Sequence, residues 1–249
     1  MRILDINAAL GAATQSERYT DEEGLLRYMD DYRISAALTW HSLADRVPDK
    51  GNRQMVDIAA QYPERIMACL LLEPSLADLG LPGEGDALER LAQLKPGAVR
   101  VHQGDESHFL MDKFYARDLL RPLNESRMPL IVGGSYSRLF WHTLPELAEA
   151  FPHVPFIILR HGLNESRIIN PLLKYTKNVY FDISTMLDCY QIEEIVEKFG
   201  SEKLLFGSGL PFFVPAGALG LLMYAAISEA NRRNIAYSNF ERLKGGVRL

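Results

Sequence analysis

Eight short apolar runs, recurring roughly every 30 residues, constrain this chain more than any other feature. They are Ile3–Ile6, Ile34–Leu38, Ile66–Leu72, Ala98–Val101, Leu130–Val132, Phe156–Leu159, Val179–Ile183 and Leu204–Phe206. Amphipathic segments separate them: Asp21–Tyr32, Asn52–Tyr62, Gly85–Leu94, Tyr115–Glu125, Leu144–Ala150 and Ile192–Phe199, each with apolar residues at helical spacing. Thr20 and Asp86 stand where helix caps belong. Continuous apolar runs read as strands buried on both faces, and helices between them imply right-handed parallel crossovers. Eight such units in 249 residues satisfy a closed (β/α)8 barrel. The alternative, an open doubly wound sheet, lacks its Gly-x-Gly-x-x-Gly turn after the first run. No linker or low-complexity tract interrupts the chain, so residues 1–249 read as one domain.

Composition narrows the partners. A net charge of −5 without a basic cluster argues against nucleic acid. No apolar run approaches the ~18 residues of a membrane span, and no basic segment followed by an apolar one opens the chain. A cytoplasmic protein with no membrane contact is the expectation. Cys69 and Cys189 lie too far apart for a metal or redox motif and are expected to be buried free thiols.

In a barrel, chemistry sits where strands end. The eight runs deliver there Asn7 and Ala9; Thr39, Trp40 and His41; Glu73; His102 and Gln103; Gly133 and Gly134; Arg160 and His161; Asp182 and Ser184; and Gly207, Ser208 and Gly209. His161 and His102 are the acid–base candidates, since imidazole titrates near neutrality. Arg100 and His102 alternate onto one strand face, either into the barrel or toward the helices, and could bind a substrate carboxylate. Arg160 should point the other way from His161 and pair with a helix carboxylate. Asn7, His41, Gly134 and Ser208 complete the substrate-binding candidates. The bare backbone at Gly207–Gly209 suits a small anion. Tyr136, Phe140 and Trp141 would line a pocket or meet a second copy of the chain. Asp182 is expected to prop the rim, and His108, His142 and His153 are given no role.

The ordered motifs resemble those of the amidohydrolase-related barrels, the branch typified by aminocarboxymuconate-semialdehyde decarboxylase. The matching stretches are Leu4-Asp-Ile-Asn-Ala-Ala-Leu-Gly11, Gly51-Asn52 with Tyr62-Pro-Glu-Arg65, Val99-Arg-Val-His-Gln103, Leu130-Ile-Val-Gly-Gly134, Ile157-Ile-Leu-Arg-His-Gly162, Asn178-Val-Tyr-Phe-Asp-Ile-Ser184 and Leu205-Phe-Gly-Ser-Gly-Leu-Pro-Phe212. The resemblance implies a metal held by two histidines of the first strand, one each from the fifth and sixth, and an Asp after the eighth that also takes a proton from water. Carried onto this chain, those positions are Asn7, Ala9, Gly133, His161 and Gly209; only His161 is a family ligand. No cofactor is therefore expected, with zinc or manganese bound through His41, Glu73, His102 and His161 as the alternative. Three functions stand: hydrolase- or lyase-type chemistry without a metal on a small carboxylic or cyclic substrate, a non-catalytic ligand-binding or partner subunit, and a metal hydrolase with relocated ligands.

Overall fold

A computed structural model describes residues 1–12, 19–103, 109–134, 136–161 and 165–249. The strands are β1 (Leu4–Ala12), β2 (Tyr19–Thr20), β3 (Ala36–His41), β4 (Ile66–Leu71), β5 (Ala98–Gln103), β6 (Leu130–Gly134), β7 (Phe156–Ile158), β8 (Val179–Asp182) and β9 (Leu204–Leu205). The helices are α1 (Glu22–Asp31), α2 (Pro48–Gln61), α3 (Ala87–Leu94), α4 (Arg117–Ser126), α5 (Arg138–Ala150), α6 (Ser166–Tyr175), α7 (Gln191–Phe199), α8 (Pro215–Tyr224), α9 (Glu229–Arg233) and α10 (Asn239–Gly245). All eight apolar runs become parallel strands, in the order β1-β3-β4-β5-β6-β7-β8-β9. The short β2 adds to β1 antiparallel, an element the sequence pattern does not signal.

The sheet closes on itself. Ile6 N donates to Phe206 O at 3.0 Å, Ala9 N to Leu210 O at 2.8 Å, and Gly209 N to Asn7 O at 2.9 Å. This is the expected (β/α)8 barrel. Inside it, Leu4, Ile6, Leu38, Trp40, Ile131, Ile157 and Leu205 fill the core, and Phe240 and Leu243 of α10 join them. A larger apolar layer lies between strands and helices. The two cores are why the strands read as unbroken apolar runs.

Local departures have local causes. Asp21, not Thr20, caps α1, its carboxylate accepting from Gly24 N at 2.8 Å. Asp86 caps α3 as expected and completes a reciprocal capping box with Glu89. Helix α5 begins at Arg138, so part of the aromatic loop is helical, and Tyr136, Phe140 and Trp141 pack against one another at tilted and edge-on angles. Cys69 is buried, but Cys189 is exposed in the turn before α7, contrary to expectation.

Two buried asparagines tie elements together. Asn52 of α2 donates from Nδ2 to Leu71 O and Gly80 O, and its Oδ1 accepts from Leu71 N, at 2.8, 2.9 and 2.8 Å. Asn178 donates to the carbonyls of Ala148, Phe151 and Val154 at the end of α5. Each replaces contacts to water that buried backbone groups have lost. Asn52→Ala removes three bonds and strands their partners, so urea unfolding is expected to show a loss of about 2–4 kcal/mol.

Candidate functional site

Three strand ends build one connected polar chain at the barrel mouth. Arg100 and His102 of β5 both point inward, which settles the choice left open by alternation. Arg100 Nε–H donates to His102 Nε2 at 2.8 Å, and Arg100 Nη1–H donates to Asn7 Oδ1 of β1 at 3.1 Å. His102 Nδ1 lies 3.0 Å from Asp45 Oδ1, in the 3-10 turn Ser42–Asp45 after β3. Because Nε2 accepts from a guanidinium, the imidazole proton belongs on Nδ1, facing the Asp45 carboxylate. Burial holds the His102 pKa below its ordinary value; Asp45 opposes this and Arg100 reinforces it. The ring is thus neutral near pH 7, and both of its nitrogens are engaged.

Trp40 supplies the wall. The Arg100 guanidinium lies 4.7 Å from the Trp40 ring, and His102 meets the same ring edge-on at 5.0 Å. Opposite stands Gly133 of β6, where a Cβ would come within 2.7 Å of Arg100 Nη2. The missing side chain is what makes room for the guanidinium. Burial lowers the Arg100 pKa, although an arginine keeps its charge at neutral pH. Among the described residues, no carboxylate lies within ion-pair distance of Arg100.

The other side of the mouth carries His161, Arg160 and Asp182. His161 is buried and meets Phe181 edge-on at 5.8 Å. Among the described residues, Arg160 pairs with no helix carboxylate, contrary to expectation. Its backbone is left-handed, at φ +48°, which turns the guanidinium over the Phe213 ring, 3.3 Å from its centre. A Cβ on Gly209 would stand 3.6 Å from Arg160 Nη1, so this second guanidinium borders a second position where the family pattern calls for a ligand. Asp182 is fully buried: Arg160 N donates to Oδ1 at 2.6 Å and the Ser184 hydroxyl to Oδ2 at 2.5 Å. Its expected role as a rim prop fits this geometry. Burial raises its pKa to about 6, against these hydrogen bonds.

The remaining candidates are placed as follows. Ser208 directs its hydroxyl to Asp5, whose carboxylate also accepts from Ser208 N at 2.8 Å and Asn7 N at 2.9 Å. Burial raises the Asp5 pKa despite these bonds. His41 Nδ1 accepts from Leu43 N at 3.1 Å and so caps the 3-10 turn. Gly134, at φ +109°, lies so near Gln103 O that a Cβ would come within 2.0 Å of it. Glu73 accepts from Ser75 N and Oγ in its own loop. His108, Ser135 and Gly162 lie outside the described residues. Asp45 enters the site without a sequence signal, from a turn, while Arg160, placed by the sequence at a strand end, enters in an unexpected direction through a left-handed backbone.

The donors present do not fit the metal implied by the motif pattern. His161 is one imidazole, Asn7 Oδ1 already accepts from a cation, and Ala9, Gly133 and Gly209 offer no ligating side chain. Among the described residues, no three His, Cys, Asp or Glu side chains are grouped to hold an ion. A guanidinium beside Asn7 and Gly133 would also repel one.

Fold and site define a (β/α)8 barrel with its polar constellation at the C-terminal ends of the strands. The amidohydrolase family model matches residues 44–243, and the chain belongs to that family. Solved structures agree in fold. An uncharacterized TIM-barrel protein from Bordetella bronchiseptica aligns with TM-score 0.77 at 14% identity, over 99% of each chain. 2,6-Dihydroxybenzoate decarboxylase from Rhizobium aligns with 0.76 at 13%, over 98% of each. A mutant 5-carboxyvanillate decarboxylase from Novosphingobium aromaticivorans, solved with manganese and 3-methoxy-4-hydroxy-5-nitrobenzoic acid, aligns with 0.77 at 13%, over 98% of this chain and 97% of that one. No curated protein matches the chain by sequence. Among the described residues, no helix is long and apolar enough to cross a membrane.

Asp182 gives a pH signature. Its folded pKa, about 6, exceeds the unfolded value of 3.8. Its contribution to stability is therefore fully present below pH 3.8 and lost as the pH rises through about 6. The difference corresponds to on the order of 3 kcal/mol. Asp182→Asn should flatten the dependence of the urea-derived unfolding free energy on pH between 4 and 7 by about that amount.

Proposed function

We propose that this protein carries out hydrolase- or lyase-type chemistry on a small carboxylic substrate without a bound metal. One observation carries the reading. Arg100 and Arg160 stand beside Gly133 and Gly209, and neither is ion-paired to a carboxylate among the described residues. Two such cations at the mouth of a barrel favour a small anion, and a carboxylate matches a guanidinium in charge and planar shape. The aromatic acids handled by the decarboxylases of similar fold are consistent with that class. Negative charge that grows on the substrate as a bond breaks would meet a fixed positive group, the largest single source of rate in many enzymes. His161 is the acid–base candidate. His102 is not free for that role, because both of its nitrogens are engaged.

That engagement favours a second reading, a barrel that binds the same acid without turning it over. The two part in one experiment. The purified protein is stripped with chelator, its metal content is measured, and it is offered 2,6-dihydroxybenzoate and simple benzoate esters. The expected result is turnover at less than about a tenth of an equivalent of metal. A raised melting temperature without turnover supports the binder. Turnover that disappears with the metal and returns with manganese overturns both in favour of relocated ligands.

A further inference from the structure

We propose that the Arg100 guanidinium is the resident cation of this site: a side chain that occupies the metal's place and grips the substrate carboxylate. The proposal rests on the reading of a small carboxylic ligand and names the group that binds it. Arg100 touches two positions that the family pattern reserves for metal ligands. It donates to Asn7 Oδ1 at 3.1 Å, and its Nη2 would meet a Cβ on Gly133 at 2.7 Å. A ligand histidine at position 133 and the present arginine cannot share that space.

The guanidinium is also held in one orientation. Nε is fixed by His102, Nη1 by Asn7, and the plane by Trp40, while Asp45 fixes the tautomer of His102 that accepts. A guanidinium carries five N–H groups, and among the described residues two are engaged, by His102 and Asn7. The other three, one on Nη1 and two on Nη2, match the two oxygens of a carboxylate. His102 and Asp45 are then positioning residues. They supply no proton to the substrate but prevent a flexible side chain from losing its aim, as the supporting contacts of a metal ligand do. Arg100 itself is buried, while His102 and Asp45 beside it are partly open, with side chains 31% and 23% exposed.

The probe is benzoate, titrated calorimetrically into the full chain, so the result does not depend on turnover. Arg100→Met should weaken binding by roughly tenfold to a hundredfold. Arg100→Lys, which keeps the charge and loses the fork, should fall between and serves if the methionine variant does not fold. His102→Phe should weaken benzoate about threefold to tenfold in protein that remains folded, an effect that a purely structural role would not produce. Gly133→Ala should lower the melting temperature by several degrees when Arg100 is present and by much less in the Arg100→Met background. Unchanged benzoate affinity in both Arg100 variants, or no benzoate binding by the parent at millimolar concentration, overturns the proposal, as does one tightly held manganese in the parent. Turnover of an acid whose binding ignores Arg100 would leave the functional reading standing and sink this one.

Discussion

The barrel depends on a buried contact between its two ends. Asp5 on β1 accepts from the backbone and hydroxyl of Ser208, across 203 residues of chain, and from Asn7 on its own strand. Closing a sheet abolishes its edges, but the last strand must find the first across nearly the whole sequence. A carboxylate surrounded by three donors sets the register at the seam. It also places Asn7 and Gly209 beside each other, where Gly209 N donates to Asn7 O. The seam and the mouth are one piece of structure, so residues that look like binding candidates in the sequence can serve closure instead. Ser208 is the case in point.

On that frame the mouth carries two guanidinium groups beside positions where the motif pattern calls for metal ligands. The motif pattern calls for imidazoles and a carboxylate around a cation supplied from solution. Here small residues stand at most of those places, and arginines from other strand ends extend beside two of them. Trp40, Asn7 and His102 make the position of Arg100 specific. The cost is a buried guanidinium on which Asp45 and Asp182 act only from beyond ion-pair distance among the described residues. An anionic ligand would relieve that cost, which is why binding and the architecture of the site are linked.

The barrel itself was legible in the sequence because it rests on periodicity: apolar runs buried on both faces and amphipathic helices between them. The residues at the motif's ligand positions, among them Ala9, Gly133 and Gly209, can also be read directly. What fills the space beside them cannot. The direction of Arg160 depends on a positive φ in a residue that rarely adopts one, and alternation along a strand cannot anticipate it. Asp45 reaches His102 from a turn 57 positions earlier, with no spacing rule to connect them. His102 looked like an acid–base group because its type suggests one; its neighbours decide otherwise. Helix α6 went unread as well, since Asn170 and Pro171 interrupt its stripe while Ile169, Leu172 and Leu173 still bury.

The interlock of Gly133 with Arg100 also gives the family's divergence a direction. While the arginine is present, a side chain at position 133 meets a clash, and while the glycine is present, any cation from solution lacks that ligand. A lineage that crossed to the arginine form therefore could not return one substitution at a time in any order. The arginine would have to leave first, opening a void and giving up the site's charge before a metal could replace it. Such a step behaves as a ratchet: each residue makes loss of the other more costly, and the two should be retained or exchanged together.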